Sequence, residues 1–136
     1  MQYTFTAYGH ENILSIHPTT LEFTKDKSVT KKGDCIIAIR ADFALEEIKK
    51  LIAECKKENN HKIRILIEAK GIKETINAVI NPLFSSSNEI VIRKSDFHSE
   101  RTLATRADKS SKELSKQLIA KLKHSTTEIK VSLHNI

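Results

Sequence analysis

The sequence predicts a β-rich α+β protein: a single domain, with sandwich-like sheets built from two fused βββα repeats, two amphipathic helices and a final strand. Three observations carry this expectation. Arg40-Ala41-Asp42 recurs as Arg106-Ala107-Asp108, 66 positions later. Each copy follows a short apolar run (Ile36-Ile37-Ala38-Ile39, Thr102-Leu103-Ala104-Thr105) and precedes a helix-like segment holding Leu51-Ile52-Ala53 or Leu118-Ile119-Ala120. After each helix comes an alternating stretch, Ile63 to Ile67 and Ile129 to Leu133. The repeats so defined run over about 1–60 and 61–136. A chain of 136 residues with three Gly and two Pro has room for one sizeable core and none for long linkers.

Along the chain, residues 3–8 alternate, with Tyr3, Phe5 and Ala7 on one side, and Gly9 ends this strand. An extended stretch over roughly 12–25 places Leu21 and Phe23 inward, and Pro18 implies an edge or a bend. Residues 34–41 form a strand with Cys35, Ile37, Ile39 and Ala41 on one face. Asp42 reads as a helix N-cap. The helix runs to about Lys57 with an apolar stripe of Ala44, Ile48, Leu51, Ile52 and Cys55. A strand covers 62–70 and ends at Gly71, and a further extended piece covers 72–80. Strands follow at 89–94 and 101–107. Asp108 repeats the capping role, a second helix covers 109–123 with Leu114, Leu118 and Leu122 inward, and a strand at 128–134 closes the order.

Composition bounds the function. The longest apolar run, Cys35 to Ile39, is far short of the about 20 residues of a membrane span, so no membrane partner is expected. The opening residues have neither the basic nor the apolar region of a signal peptide. Cys35 and Cys55 form no CxxC pair or disulfide framework, which suits a reducing cytoplasm. The net charge of +6 is unevenly spread: residues 1–60 hold nine basic and nine acidic side chains, and residues 61–136 hold fourteen and eight. Such asymmetry points to an anionic partner, RNA or another phosphate-bearing ligand. Aromatic residues make up only 5%, with no Trp, so backbone or shape contacts are expected over base stacking.

Three groups of residues could carry chemistry. The first is a basic cluster: Arg93 and Lys94 at the end of one strand, Arg101 and Arg106 bounding the next, then Lys109, Lys112, Lys116 and Lys123 as a stripe within about 60° of one helix face. Lys and Arg so arranged can follow a phosphate backbone; the plainer reading is a solvated face with structural Arg–Asp pairs. The second is the repeated Arg-Ala-Asp, where Arg40 with Asp42 and Arg106 with Asp108 share a strand face and could grip a phosphate or carboxylate. The plainer reading is a capping Asp held by a structural Arg. The third is the polar set His10, His17, Glu22, Asp34 and Cys35. With Arg93, Asp96 and Arg101 it could line a cleft between the repeats and serve a small, metal-assisted enzyme. No recognised zinc spacing assigns a metal ligand, and Cys35 on an apolar strand face reads as a buried thiol. No GxGxxG, Walker-type loop, HExxH or GxSxG occurs, and no cofactor is implied.

Several of these segments resemble a known family. Gly9-His10, His17 through Thr19-Thr20-Leu21-Glu22 and Gly33-Asp34-Cys35-Ile36 are similar to the first half of the archaeal domain of unknown function 371. Arg93-Lys94-Ser95-Asp96-Phe97, Arg101-Thr102-Leu103-Ala104 and Arg106-Ala107-Asp108-Lys109 are similar to its second half. The resemblance implies a mainly β, sandwich-like fold and an archaeal origin, and no activity. Two positions depart from the family pattern: Glu11, where the family usually has Pro, and Thr105, where it has an aliphatic residue.

Overall fold

The alternating stretches become strands because each can bury one set of side chains and wet the other. The computed structural model describes residues 1–136. Its elements are β1 (Gln2–Tyr8), β2 (Thr20–Thr24), β3 (Ile36–Ala38), α1 (Leu45–Lys57), β4 (Lys62–Ala69), β5 (Ile72–Ile80), β6 (Glu89–Arg93), β7 (Thr102–Thr105), a 3-10 turn (Ser111–Glu113), α2 (Lys116–Leu122) and β8 (Glu128–Asn135). The β-rich α+β class, the two helices and the final strand are therefore as the sequence predicts. Strands from both halves share one sheet of eight, ordered β1-β8-β4-β5-β7-β6-β2-β3. Tyr8 and Ile39 then exchange both backbone hydrogen bonds at 2.8 Å, which joins the two ends of that order. The sheet is thus closed on itself at that one point.

The sheet encloses one core. Ile63, Ile65 and Ile67 of β4, Ile129, Val131 and Leu133 of β8, and Ile76, Ala78 and Ile80 of β5 all point into it. Phe5 meets Phe23 and Phe43 edge-on, at 5.6 and 5.7 Å between ring centres. Helix α1 adds Ile48, Leu51, Ile52 and Cys55 to the same cluster. Helix α2 touches β3 as well as β4 and β5, strands that are not all neighbours, so it lies across an end of the closed sheet and inserts Leu118 and Leu122. Gly9 lets this happen. The backbone N–H of His10 donates to the Leu122 carbonyl at 3.0 Å, and a Cβ on Gly9 would overlap the carbonyl oxygens of Leu122 and His124.

Asp42 and Asp108 do not cap helices, contrary to expectation. The N-cap of α1 is Ala44, without a side-chain bond, and that of α2 is Ser115, whose hydroxyl accepts from the Leu118 N–H. Both aspartates are taken up by strands instead. Asp42 accepts from the Thr6 N–H at 2.7 Å and donates its own N–H to the Thr6 carbonyl; Asp108 makes the same exchange with Asn77. The chain reaches these positions through Arg40 and Arg106, both left-handed at φ 52°. The N–H of Ala41 donates to Thr24 and that of Ala107 to Arg93, again in parallel.

The second helix is also shorter than the 109–123 expected. Ser110 and Ser111 commit their polar groups elsewhere: Ser110 to Glu113, and Ser111 to the backbone of His17. Serine side chains that compete in this way favour breaks and caps over helix interiors. Lys109 and Lys112 thus lie outside α2, and the stripe of four lysines on one helix does not exist.

The two sides of the closed sheet are dressed differently. Outside β2, β6 and β7, the outward residues Thr20, Glu22, Thr24, Val91 and Thr102 are all buried. Outside β1, β8, β4 and β5 the sheet is bare: Gln2, Thr4, Lys62, Arg64, Lys73, Asn77, Lys130 and His134 are all exposed.

Candidate functional site

The basic cluster expected from the sequence is mostly neutralised. Lys94 pairs with Glu113 at 2.7 Å, Arg101 with Glu89 at 3.3 Å, Arg106 with Asp96 at 2.5 Å and Lys109 with Glu74 at 2.6 Å. Arg93 donates to the Thr102 hydroxyl and lies 4.9 Å from the centre of the Phe97 ring. Of the seven, Arg93, Lys112 and Lys116 have no carboxylate within ion-pair distance. Most of this positive charge holds loops in place.

The polar set is not gathered either. The Nδ1 of His10 accepts from the Asn12 N–H, and that of His17 accepts from the N–H groups of Thr19 and Thr20. Both imidazoles therefore fix their own loop. No three His, Cys, Asp or Glu side chains come together in a metal-binding group, and none of the three surface hollows is lined by His10, His17, Asp34 or Asp96. Asp96 is the partner of Arg106. Glu22 and Cys35 do meet, the thiol donating to the carboxylate at 3.8 Å. Burial, then the neighbouring Glu89, raises the Glu22 carboxyl above its ordinary range. Burial, then the charges of Glu22 and Asp34, pushes the Cys35 thiol up to about 12, so it stays protonated and is a poor nucleophile.

The bare side of the sheet holds what the sequence reading missed. Strand register places Gln2, His134, Arg64 and Asn77 in one row across β1, β8, β4 and β5. A hollow of about 200 Å³ is lined by Gln2, Arg64, Leu66, Ser132 and His134. A second, of about 270 Å³, is lined in part by Lys62, Asn77, Arg106 and Asp108. Asn77 links the two. Its Oδ1 accepts from the Arg64 Nε at 3.3 Å, and its Nδ2 donates to Asp108 Oδ2 at 3.2 Å. Neither Lys62 nor Arg64 has a carboxylate within 4.0 Å. Of the candidates the sequence offered, Arg106 and Asp108 line the second hollow, and none lines the first. The available signal was the alternation of β4 and β8, which puts Lys62, Arg64, Lys130 and His134 outward. The pairing that makes them neighbours was not legible.

Residues 5–136 match the model of a family described as a domain of unknown function, DUF371. An uncharacterised protein of the archaeon Methanocaldococcus jannaschii is 38% identical over 125 residues, covering 90% of this chain and 92% of that one. No helix is long and apolar enough to cross a membrane. With nearly the whole chain matched by the family model and by this relative, the protein belongs to the DUF371 family.

Proposed function

We propose that the protein binds an anionic, phosphate-bearing partner, RNA being the class that suits it best, across the bare outer face of β1, β8, β4 and β5. The observation that carries this is the location of uncommitted positive charge. Lys62 and Arg64 stand on an uncovered sheet, beside His134 and two hollows, with no carboxylate within ion-pair distance, although Asp108 shares the second hollow with Lys62. Lys130 and Lys73 extend the face, although Glu68 lies between them in the strand register. An exposed ion pair such as Arg106–Asp96 is worth little, so Arg106 can turn to a ligand at small cost. Binding of this kind releases counterions and weakens steeply with salt.

The test is a titration with mixed-sequence RNA at two salt concentrations. The double variant Lys62→Glu/Arg64→Glu is expected to lose about tenfold or more in affinity, since two phosphate contacts become repulsive. Lys112→Glu/Lys116→Glu on the far segment is expected to change it little. The reverse pattern would move the site back to the second-half cluster; salt-insensitive binding would remove the electrostatic basis altogether.

We infer further that the chain arose from two fused copies in a reducing, cytoplasmic setting. The support is the shared frame: the left-handed Arg40 and Arg106, the paired exchanges of Asp42 and Asp108, and parallel β2–β3 and β6–β7 pairs with matching irregularities. On this reading β4 and β8 are counterparts, and the copies meet at the Lys70-Gly71 turn and not near residue 60. A superposition of β1–β4 on β5–β8 that failed to align these features would contradict it.

A further inference from the structure

We propose that the hollow bounded by Gln2, Arg64, Leu66, Ser132 and His134 is a socket for a single phosphate group, with Arg64 as its anchor and Asn77 as a positioning residue. This rests on the reading of the bare face as the anion-binding one and adds to it a discrete site. The guanidinium is built into place. Its Nε–H is taken by Asn77 Oδ1, which leaves the two terminal nitrogens to offer parallel N–H groups to one oxyanion. The Asn77 amide cannot be reversed without setting its NH2 against Arg64 and its oxygen against Asp108, so both ends of the relay fix its orientation. Asp108 is in turn fixed by its two backbone exchanges with Asn77. The chain of contacts therefore runs from the second Arg-Ala-Asp, through β5, to a cation on β4.

The rest of the socket supplies ligand-facing groups. The His134 imidazole has no hydrogen-bond partner in the protein, and the Ser132 hydroxyl has only that of Thr4, at 3.1 Å. Leu66 forms an apolar floor. The hollow, about 200 Å³, has room for a phosphate group. The first half of the chain has no equivalent. Thr6 occupies the position of Asn77 and Lys130 that of Arg64, and no side-chain bond joins them. The backbone frame is common to both halves, and only one has been elaborated into an oriented arginine.

The experiment uses the full chain and three probes: inorganic phosphate, a short RNA with a 5′-terminal phosphate, and the same RNA without it. Two variants are compared with the native protein. Arg64→Lys keeps the charge and removes the fork. Asn77→Thr installs the residue found at the matching position of the first half, which a strand accepts readily. Both are expected to weaken inorganic phosphate binding by about tenfold or more at unchanged thermal stability, and to leave the salt dependence of RNA binding nearly intact. In the native protein, tighter binding of the 5′-phosphorylated RNA would identify a terminal phosphate as the natural occupant; equal binding would identify a backbone or free phosphate. Phosphate that fails to bind, or that binds Arg64→Lys as well as native protein, overturns the socket while RNA binding to the face can persist. If RNA binding itself ignores Lys62→Glu/Arg64→Glu, the face falls, and the socket is then judged on inorganic phosphate alone.

Discussion

Asn77 and Asp108 exchange three hydrogen bonds, where the corresponding Thr6 and Asp42 exchange two. The two shared bonds fasten the end of each Arg-Ala-Asp segment to a strand. The third, from the Asn77 side chain, is what connects this frame to Arg64. A structural fastening in one half thus doubles as the support of a surface cation in the other.

Asp42→Ala and Asp108→Ala should each cost about 1–2 kcal/mol, because each leaves a strand N–H without its charged acceptor. Urea unfolding monitored by circular dichroism measures this. Only Asp108→Ala should also alter the Arg64 Nε–H resonance. Equal effects of both variants on that resonance would break the proposed link between Asp108 and Arg64.

Gly9→Ala should destabilise the protein by about 2 kcal/mol or more, as an overpacked site does. The reason is space and not backbone freedom: the added methyl would press on the carbonyl oxygens of Leu122 and His124, which cannot give way as a side-chain end could. A melting temperature within a degree or two of the native value would show that α2 does not close against Gly9 as described.

Glu22→Gln should raise the melting temperature at pH 7. The folded state holds the Glu22 carboxyl above its ordinary value of 4.5, chiefly by burial, so over that window the native protein binds more protons than the unfolded chain. Stability therefore falls as pH rises through the window, and the native protein carries the charged, buried carboxylate at neutral pH. The advantage of Gln should vanish below pH 4.5. In the native protein Cys35, with its thiol pushed up to about 12, should react with iodoacetamide at pH 8 far more slowly than a free cysteine. An advantage for Gln that grew on acidification would reverse the assigned sign.

Much of the fold was legible because burial imposes a period on the chain. The alternation of Ile63, Ile65 and Ile67 marked β4, the stripe of Ile48, Leu51, Ile52 and Cys55 marked α1, and the repeated Arg-Ala-Asp marked equivalent places in two halves. Closure of the sheet was not legible, since it depends on one reciprocal bridge between Tyr8 and Ile39 that leaves no periodic trace. Helix α2 was overextended because Ser110, Ser111 and Ser115 are weak stop signals one at a time and the partners of Ser111, Ser15 and His17, lie far along the chain. The basic cluster misled for a related reason. A count of Lys and Arg cannot show that Glu113, Glu89, Asp96 and Glu74 fold back onto Lys94, Arg101, Arg106 and Lys109. Arg64 and His134 are 70 positions apart and became neighbours only through the pairing of β4 with β8.

The central claim is that the uncovered face of β1, β8, β4 and β5 meets the anionic partner. Amide chemical-shift mapping during titration of the isotope-labelled protein with a short RNA tests it most directly. The account predicts that Gln2, Lys62, Arg64, Ser132 and His134 shift together and that the shifts collapse at high salt. Shifts confined to residues 93–101 or 109–116, with β4 and β8 silent, would contradict it.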